Sequence, residues 1–219
     1  PLWPEPNQIY AVAVSAVTDG KRLAVLLQWR DELPQNTALR VQDFQDGAAL
    51  QFSLSGKYGF LGMGDKENPV NLWSWKAGWQ EADGGTPTMD SAYPSMHSDA
   101  WTFTNFSTAI SAGNVVSQPH KSPVEDANAA GFGSFKSQPI AQQNVAGKGV
   151  WHDGFWNVVF IRDLKSKDAD DVKFVAGKPA HLLDFEVVPV ATQIDAKPRY
   201  SASCVQSLNG LLIPGFDNG

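Results

Sequence analysis

Short stretches in which apolar and polar residues alternate recur along the chain, and this period of two is typical of β-strands with one buried face. The alternation is clear at Ala48–Leu54 and at Val70–Trp75. The run Phe155–Arg162 predicts the best-defined strand of the chain. Further strands are predicted at Gln8–Val17, Leu23–Trp29, Gly133–Ser137, Ile140–Val145, Val150–Trp151, Lys173–Ala176, Ala180–Val190 and Ser201–Ile213.

Turn residues separate these strands at intervals of roughly ten residues. The pairs Asp19-Gly20 and Asp153-Gly154 tolerate the positive φ of a tight hairpin turn, and each lies between two predicted strands. Many short strands with such turns predict an all-β fold, an antiparallel two-sheet β-sandwich with long loops and a few short helices.

Helical signals are sparse. Ser107–Val116 predicts one short helix, and Val124–Ala130 predicts a helical turn ended by Gly131. With 42% apolar and 18% charged residues, the chain can bury a large core. All-β units of about 200–250 residues commonly form one domain, so residues 1–219 are predicted to be a single domain.

The formal charge of −6 argues against nucleic acid or an anionic membrane as a partner and favours a basic protein. No run approaches the roughly 18 consecutive apolar residues of a membrane span. The acidic pairs Glu125-Asp126 and Asp170-Asp171 are interpreted as solvated loop charges.

The segment Phe60–Trp101 concentrates unusual side chains, because it holds all three methionines and four of the eight tryptophans. Thioethers and flat indole rings suit a flat apolar cofactor, haem above all. The alternative is a tryptophan-rich core beside a ligand-binding face, in which Trp73, Trp75 and Trp79 form a platform for stacking a carbohydrate.

Other chemistry finds little support. The single Cys204 excludes a Cys-x-x-Cys-His haem attachment and a cysteine-ligated cluster, so any haem must be held non-covalently. No Gly-x-Ser-x-Gly elbow is present, and Gly131-Phe132-Gly133 lacks the Lys-Ser/Thr of a phosphate loop. The four histidines are far apart, without the i, i+4 pair of a metal site: they are His97, His120, His152 and His181.

Several blocks of sequence, spaced in the same order from about Gln45 to Leu208, resemble the haem b γ subunits of periplasmic molybdenum enzymes of the type II DMSO-reductase family. These are the γ subunits of ethylbenzene and dimethylsulfide dehydrogenases and of chlorate and selenate reductases. The blocks are Phe44–Phe52, Phe60–Gly64, Pro69–Ala77, Tyr93–Met96, Gly131–Gly133 and Gly147–Arg162.

The resemblance implies a β-sandwich that holds one non-covalent haem b with Met and Lys as axial ligands. It also implies a non-catalytic, periplasmic subunit that associates with a molybdopterin catalytic α subunit and an iron–sulfur β subunit. Such a subunit relays electrons between the iron–sulfur subunit and an external carrier such as a c-type cytochrome. The rival hypothesis is a non-redox carbohydrate- or ligand-binding β-sandwich module.

The resemblance assigns the axial methionine to the Tyr-Pro-x-Met segment, here Met96, with Met63 as the second choice. It expects the axial lysine in a Lys-Ser-x-Ser setting, where this chain has Tyr200, so the nearest lysine is Lys197 and the competing one is Lys148. A lysine amine ligates iron only when desolvation keeps it neutral. The other residues expected to line the pocket or contact a partner are Trp73, Trp75 and Lys76.

Overall fold

The computed structural model describes residues 11–36, 45–57, 60, 62–80, 95 and 122–174, and beyond these the backbone of four short strands. The strands are β1 (Val12–Thr18), β2 (Arg22–Arg30), β3 (Gly47–Ser53), β4 (Val70–Lys76), β5 (Val124–Ala129), β6 (Lys136–Ser137), β7 (Ala146–His152), β8 (Phe155–Asp163), β9 (Pro179–Ala180), β10 (Leu182–Val188), β11 (Ala202–Ser203) and β12 (Leu211–Leu212). The described helices are α1 (Ala77–Gln80) and a 3₁₀ turn, Ile140–Gln142.

The described strands pair antiparallel in three sheets. One sheet has the order β1-β2-β8-β7, a second has the order β11-β10-β3-β4-β5-β6, and β12 pairs with β9. The hairpin turns lie where the Asp-Gly pairs predict them, with Asp153 at φ 50° and Gly154 at φ 78°. The predicted all-β, antiparallel sandwich is confirmed.

The core lies between the four-stranded and the six-stranded sheet and is dominated by aromatic rings. Trp29, Trp75 and Trp156 form a triad with centroid separations of 4.9 to 6.3 Å, and Phe52 packs on Trp73 at 4.6 Å. Such tilted and edge-to-face pairs are favourable beyond their buried area. Side chains therefore fill the space between the two sheets. The other large core side chains are Leu23, Val25, Leu27, Leu50, Val158, Phe160 and Phe174.

Strand β4 is buried on both faces. Its inward side chains Trp73 and Trp75 belong to the core between the sheets. Its outward side chains Val70 and Leu72 form a second apolar cluster with Ala127 and others on β5. The six-stranded sheet is therefore covered on its outer side as well, at least around β4.

The free edge of β7 lies against the six-stranded sheet, and glycine makes this close approach possible. A Cβ atom built at Gly149 would lie 2.8 Å from Cε2 of Trp75. The Gln80 amide accepts the N–H of Gly149 and donates to its carbonyl, and Oγ of Ser122 accepts the N–H of Gly147 at 3.1 Å. These bonds satisfy backbone groups at an edge that otherwise invites another strand.

Several predicted elements are wrong. Val124–Ala129 is a strand rather than a helical turn, because pairing with β4 outweighs its weak local preference. Ile140–Gln142 is a 3₁₀ turn after Pro139, and the strand that follows begins only at Ala146. Lys173 and Phe174 lie outside any strand. The helix predicted at Ser107–Val116 falls outside the described residues.

Candidate functional site

The outer face of the six-stranded sheet, here called the methionine face, carries short and apolar side chains beside one thioether. Cross-strand register places Ala49, Ser74 and Glu125 in one row and Gln51, Leu72 and Ala127 in the next. The row beyond holds Ser53, Val70 and Ala129, and Lys76 stands at the opposite end of β4. The methionine face is thus a floor of small residues with polar groups at its ends.

Met63 is fixed against this floor by its backbone. Its φ is 71°, an uncommon value for a residue with a side chain. Its N–H donates to Oε1 of Gln51 at 3.1 Å, and its carbonyl accepts the N–H of Gly131 at 2.9 Å. The side chain packs on the cluster of Val70, Leu72 and their β5 partners. A soft sulfur is therefore held at an apolar sheet surface.

Lys76 ends the methionine face in a compact ionic group. Its ammonium lies 3.9 Å from the ring centroid of Trp79 and pairs with the carboxylate of Glu125. Glu125 is only 1% exposed and also accepts a hydrogen bond from Ser137. The cation compensates the buried carboxylate. Lys76 lies four positions after Leu72 along β4, a span of about 13 Å.

Trp75 and Lys148 lie elsewhere. Trp75 is fully buried among the core rings, on the face of β4 opposite to the methionine face. Lys148 is exposed on β7 and points outward from the four-stranded sheet. The Gly-Lys-Gly sequence has a structural cause, because its two glycines allow β7 to pass over the six-stranded sheet. Met96 and Lys197 fall outside the described residues.

The methionine face carries a thioether donor, whereas aromatic side chains fill the core between the sheets. The thioether of Met63 packs on the apolar cluster of Val70, Leu72, Ala127 and Ala129. Across the described part of the chain, no three His, Cys, Asp or Glu side chains come together as a metal site. Methionine sulfur is a different kind of donor and one that fits haem iron.

A buried ionic network closes one end of the sandwich around Arg162. Its guanidinium lies 4.9 Å from the ring centroid of Trp73 and 3.8 Å from a carboxylate oxygen of Asp171, and it donates to the carbonyl of Val172. Burial raises the pKa of Asp126 to about 7, although an amide donor from Asn71 opposes the shift.

The acidic pairs interpreted as solvated are therefore largely buried, and that interpretation is wrong for Glu125, Asp126 and Asp171. Each of these carboxyls has at least one hydrogen-bond donor within the fold, which lowers the cost of burying it. Sequence reasoning also missed the role of Arg162. Its position in the alternation of Trp156, Val158 and Phe160 would have predicted an inward side chain.

Two further carboxyls are buried at the opposite end, beside the tryptophan triad. Asp46 accepts a hydrogen bond from the Trp156 indole at 2.9 Å and from the N–H of Gln35 at 2.7 Å. Burial, aided by the charge of Asp46, raises the pKa of Asp31 to about 7. Asp31 therefore holds a proton more tightly in the folded chain than in the unfolded chain.

The carbohydrate platform is ruled out. Trp73 and Trp75 share a face of β4 as predicted, but both are 0% exposed, so no sugar ring can stack on them. Trp79 lies in α1 and not on the strand. None of the described helices is long and apolar enough to cross a membrane.

Comparison with known proteins gives two matches. The model of the ethylbenzene dehydrogenase family matches residues 4–182. The chain is also 40% identical over 67 residues to the chlorate reductase subunit gamma of Ideonella dechloratans, a stretch that covers 30% of this chain and 28% of the relative. The family match spans most of the chain and confirms the resemblance found in the sequence blocks. The chain therefore belongs to the ethylbenzene dehydrogenase family.

Proposed function

We propose that this chain is a non-catalytic b-type cytochrome subunit of a periplasmic molybdoenzyme. It relays electrons between the iron–sulfur subunit of that complex and an external carrier such as a c-type cytochrome. The observation that carries the proposal is the thioether of Met63 on a small-residue sheet face, in a chain matched by the ethylbenzene dehydrogenase family and similar in part to a gamma subunit of chlorate reductase.

The chain's own residues would hold the haem by apolar contact and by its axial ligands. Met96 is the proposed axial methionine, with Met63 either its substitute or a wall of the pocket. A thioether ligand favours ferrous iron and raises the reduction potential. When bound, haem b supplies reversible one-electron chemistry at iron.

Lys197 is the proposed second ligand. The position of Lys148 favours Lys197 indirectly, because Lys148 is exposed on the outer face of the four-stranded sheet. The methionine face looks out from the other sheet, and packed sheets lie about 10 Å apart. An iron beside Met63 is therefore out of reach of Lys148. Lys76 is already paired with Glu125, which suits a wall residue better than a ligand.

Trp75 contributes to the proposed site through packing. It lies beneath the methionine face, on the other side of β4, and contacts Trp29 and Trp156. A rigid β4 keeps the floor of the haem site flat. No residue of the chain is assigned to substrate chemistry, because the proposal places that chemistry in the molybdopterin subunit.

A visible spectrum tests the proposal. The purified chain should show sharp Soret and α bands that shift on dithionite reduction, and a pyridine haemochrome of haem b. Rapid mixing with a reduced c-type cytochrome should then show electron exchange at the haem bands. A colourless chain that binds added haem no better than albumin would reject the proposal.

A further inference from the structure

The outer face of the four-stranded sheet is unusually apolar for a surface. Its outward positions include Leu26 on β2, Val159 and Ile161 on β8, and Val150 on β7. Val150 is 51% exposed, and Val17 on the neighbouring β1 is 64% exposed. In a sandwich whose outer face meets only water, these positions normally alternate to polar residues. Val150 stands in a row with the polar pair Asn157 and Gln28, while the other four residues lie on the two neighbouring rows. An apolar patch of this kind marks an interaction surface.

A cleft of about 400 Å³ opens at one end of this face. Ile161 and Ala146 form its apolar floor, so the cleft is continuous with the patch. Its rim carries the cations Arg22, Lys165 and Lys167 and one carboxylate, Asp163. A cleft with an apolar floor and several cations suits a carboxylate on an otherwise apolar partner surface.

The charge of this face is opposite to that of the protein as a whole. The chain carries a net charge of −6. Lys148, Lys165 and Lys167 nevertheless point outward here, and among the described residues none of the three has an ion-pair partner. Arg22 is paired with Asp19, and Asp163 lies on the same rim, so the three lysines leave this face with an excess of positive charge around an apolar centre. The basic partner expected from net charge does not fit this surface.

We infer that the outer face of the four-stranded sheet docks another protein subunit of the complex, one that presents an apolar patch flanked by carboxylates. An acidic side chain of that subunit enters the cleft beside Lys165 and Lys167. This inference rests on the proposed function, since it assumes a multisubunit complex. It leaves the methionine face, on the other sheet, for the haem.

Charge distinguishes an acidic protein subunit from two alternative occupants of this face, a second copy of the chain and an anionic membrane. A second copy of this chain, packed face to face, would bring the same lysines together, and like charges oppose that contact. An anionic membrane would attract the lysines but would meet the repulsion of the net charge of −6. An acidic, apolar protein surface satisfies both the patch and the cations.

The test uses the complex isolated through an affinity tag on this chain. Lysine acetylation is compared between the complex and the isolated chain by peptide mass spectrometry. Lys148, Lys165 and Lys167 should be protected at least tenfold in the complex, while Lys57, in the turn after β3, should react equally in both. Equal acetylation of all four lysines in both samples would overturn the inference.

Two variants that add negative charge to this face test the docking surface directly. Lys165→Glu with Lys167→Glu should lower co-purification of the other subunits at least tenfold, and Val159→Glu should do the same. Leu33→Glu, at a position 52% exposed outside the face, is the matched control and should co-purify normally. The lysine variants alter only exposed side chains, so they test the surface even if Val159→Glu unfolds the chain.

The haem spectrum of each variant separates the two proposals. Full haem content with lost co-purification supports the docking surface. Full haem content with normal co-purification overturns the docking surface and leaves the cytochrome proposal intact. A wild-type chain that co-purifies without haem would sink the cytochrome proposal alone. Dimers of the isolated chain in sedimentation, or flotation with anionic vesicles, would replace the inferred subunit by another occupant.

Discussion

Gly149 lies flat against the indole ring of Trp75, with no room for a side chain between them. A Cβ at this position would lie 2.8 Å from Cε2 and closer still to Cζ2 of the same ring. The ring of Trp75 makes edge-to-face contacts with Trp29 and Trp156, and these contacts oppose its movement away from Gly149. This contact joins the edge of one sheet to the centre of the other.

We expect Gly149→Ala to lower the free energy of unfolding by roughly 1–3 kcal/mol through overpacking. Urea unfolding followed by tryptophan fluorescence measures it. Gly47→Ala is the control, because a Cβ there meets only the carbonyl oxygen of Trp75, at 3.4 Å. The control should unfold within about 1 kcal/mol of the wild-type chain. Equal stability of both variants would show that the sheets do not meet at Gly149.

The buried carboxyl of Asp31 should make stability fall as pH rises. Its pKa is about 7 in the folded chain, against 3.8 for an ordinary aspartate. Between pH 4 and 7 the folded chain therefore binds more protons than the unfolded chain. Each such group lowers the free energy of unfolding by up to about 1.4 kcal/mol per pH unit across that window.

Asp31→Asn should flatten this dependence and should stabilise the chain most at pH 8. Asparagine keeps the oxygen that accepts the N–H of Leu33 at 3.3 Å. Thermal unfolding between pH 4.5 and pH 8 gives the slope. An Asp31 variant with the wild-type slope would mean that the carboxyl is ionised in the folded chain.

Removing the buried guanidinium of Arg162 should strongly destabilise the folded chain. Arg162→Met would leave Asp171 without its buried cation, and breaking such a pair costs about 3–5 kcal/mol. Arg30→Met, which removes an exposed ion pair with Glu32, should change little. Denaturant midpoints of the two variants decide the point. If both shift equally, Arg162 is hydrated and the network is not a buried one.

The visible spectra of two variants should distinguish the roles of Met96 and Met63. Met96→Ala should disturb the low-spin haem spectrum and lower the reduction potential, because an axial thioether is lost. Met63→Ala should keep the low-spin bands and release haem to apomyoglobin about tenfold faster, equivalent to ~1.4 kcal/mol of lost contact. A native spectrum in the Met96 variant would reassign the axial ligand.

The alternation of apolar residues predicts the long strands well, and β2, β3, β4 and β8 lie within a residue or two of their predicted ends. It fails for β5, where both faces are covered and Glu125 beside Asp126 removes any alternation. Alternation of apolar and polar residues arises when one face of a strand is exposed, and β5 has no exposed face. Burial of those two carboxylates depends on Lys76 and Asn71, which are distant in sequence and become neighbours only through β4–β5 pairing.

The sequence predicts the kind of site but not its position in the fold. Clustered methionines and tryptophans pointed to one cofactor-binding segment, yet sequence alone does not separate the two faces of a strand covered on both sides. Trp75 and Lys76 are adjacent in the chain but face opposite layers. The Gly-Lys-Gly motif misled for a similar reason, because its glycines serve sheet contact while its lysine faces outward.

The double cover of β4 has a consequence for local opening. Strands flank β4 on each side, and apolar clusters lie above and below it. Its amide protons can meet solvent only when both layers separate. Hydrogen exchange at Leu72 and Trp73 should therefore report the free energy of global unfolding, while amides of the outermost strand β1 exchange through local fraying.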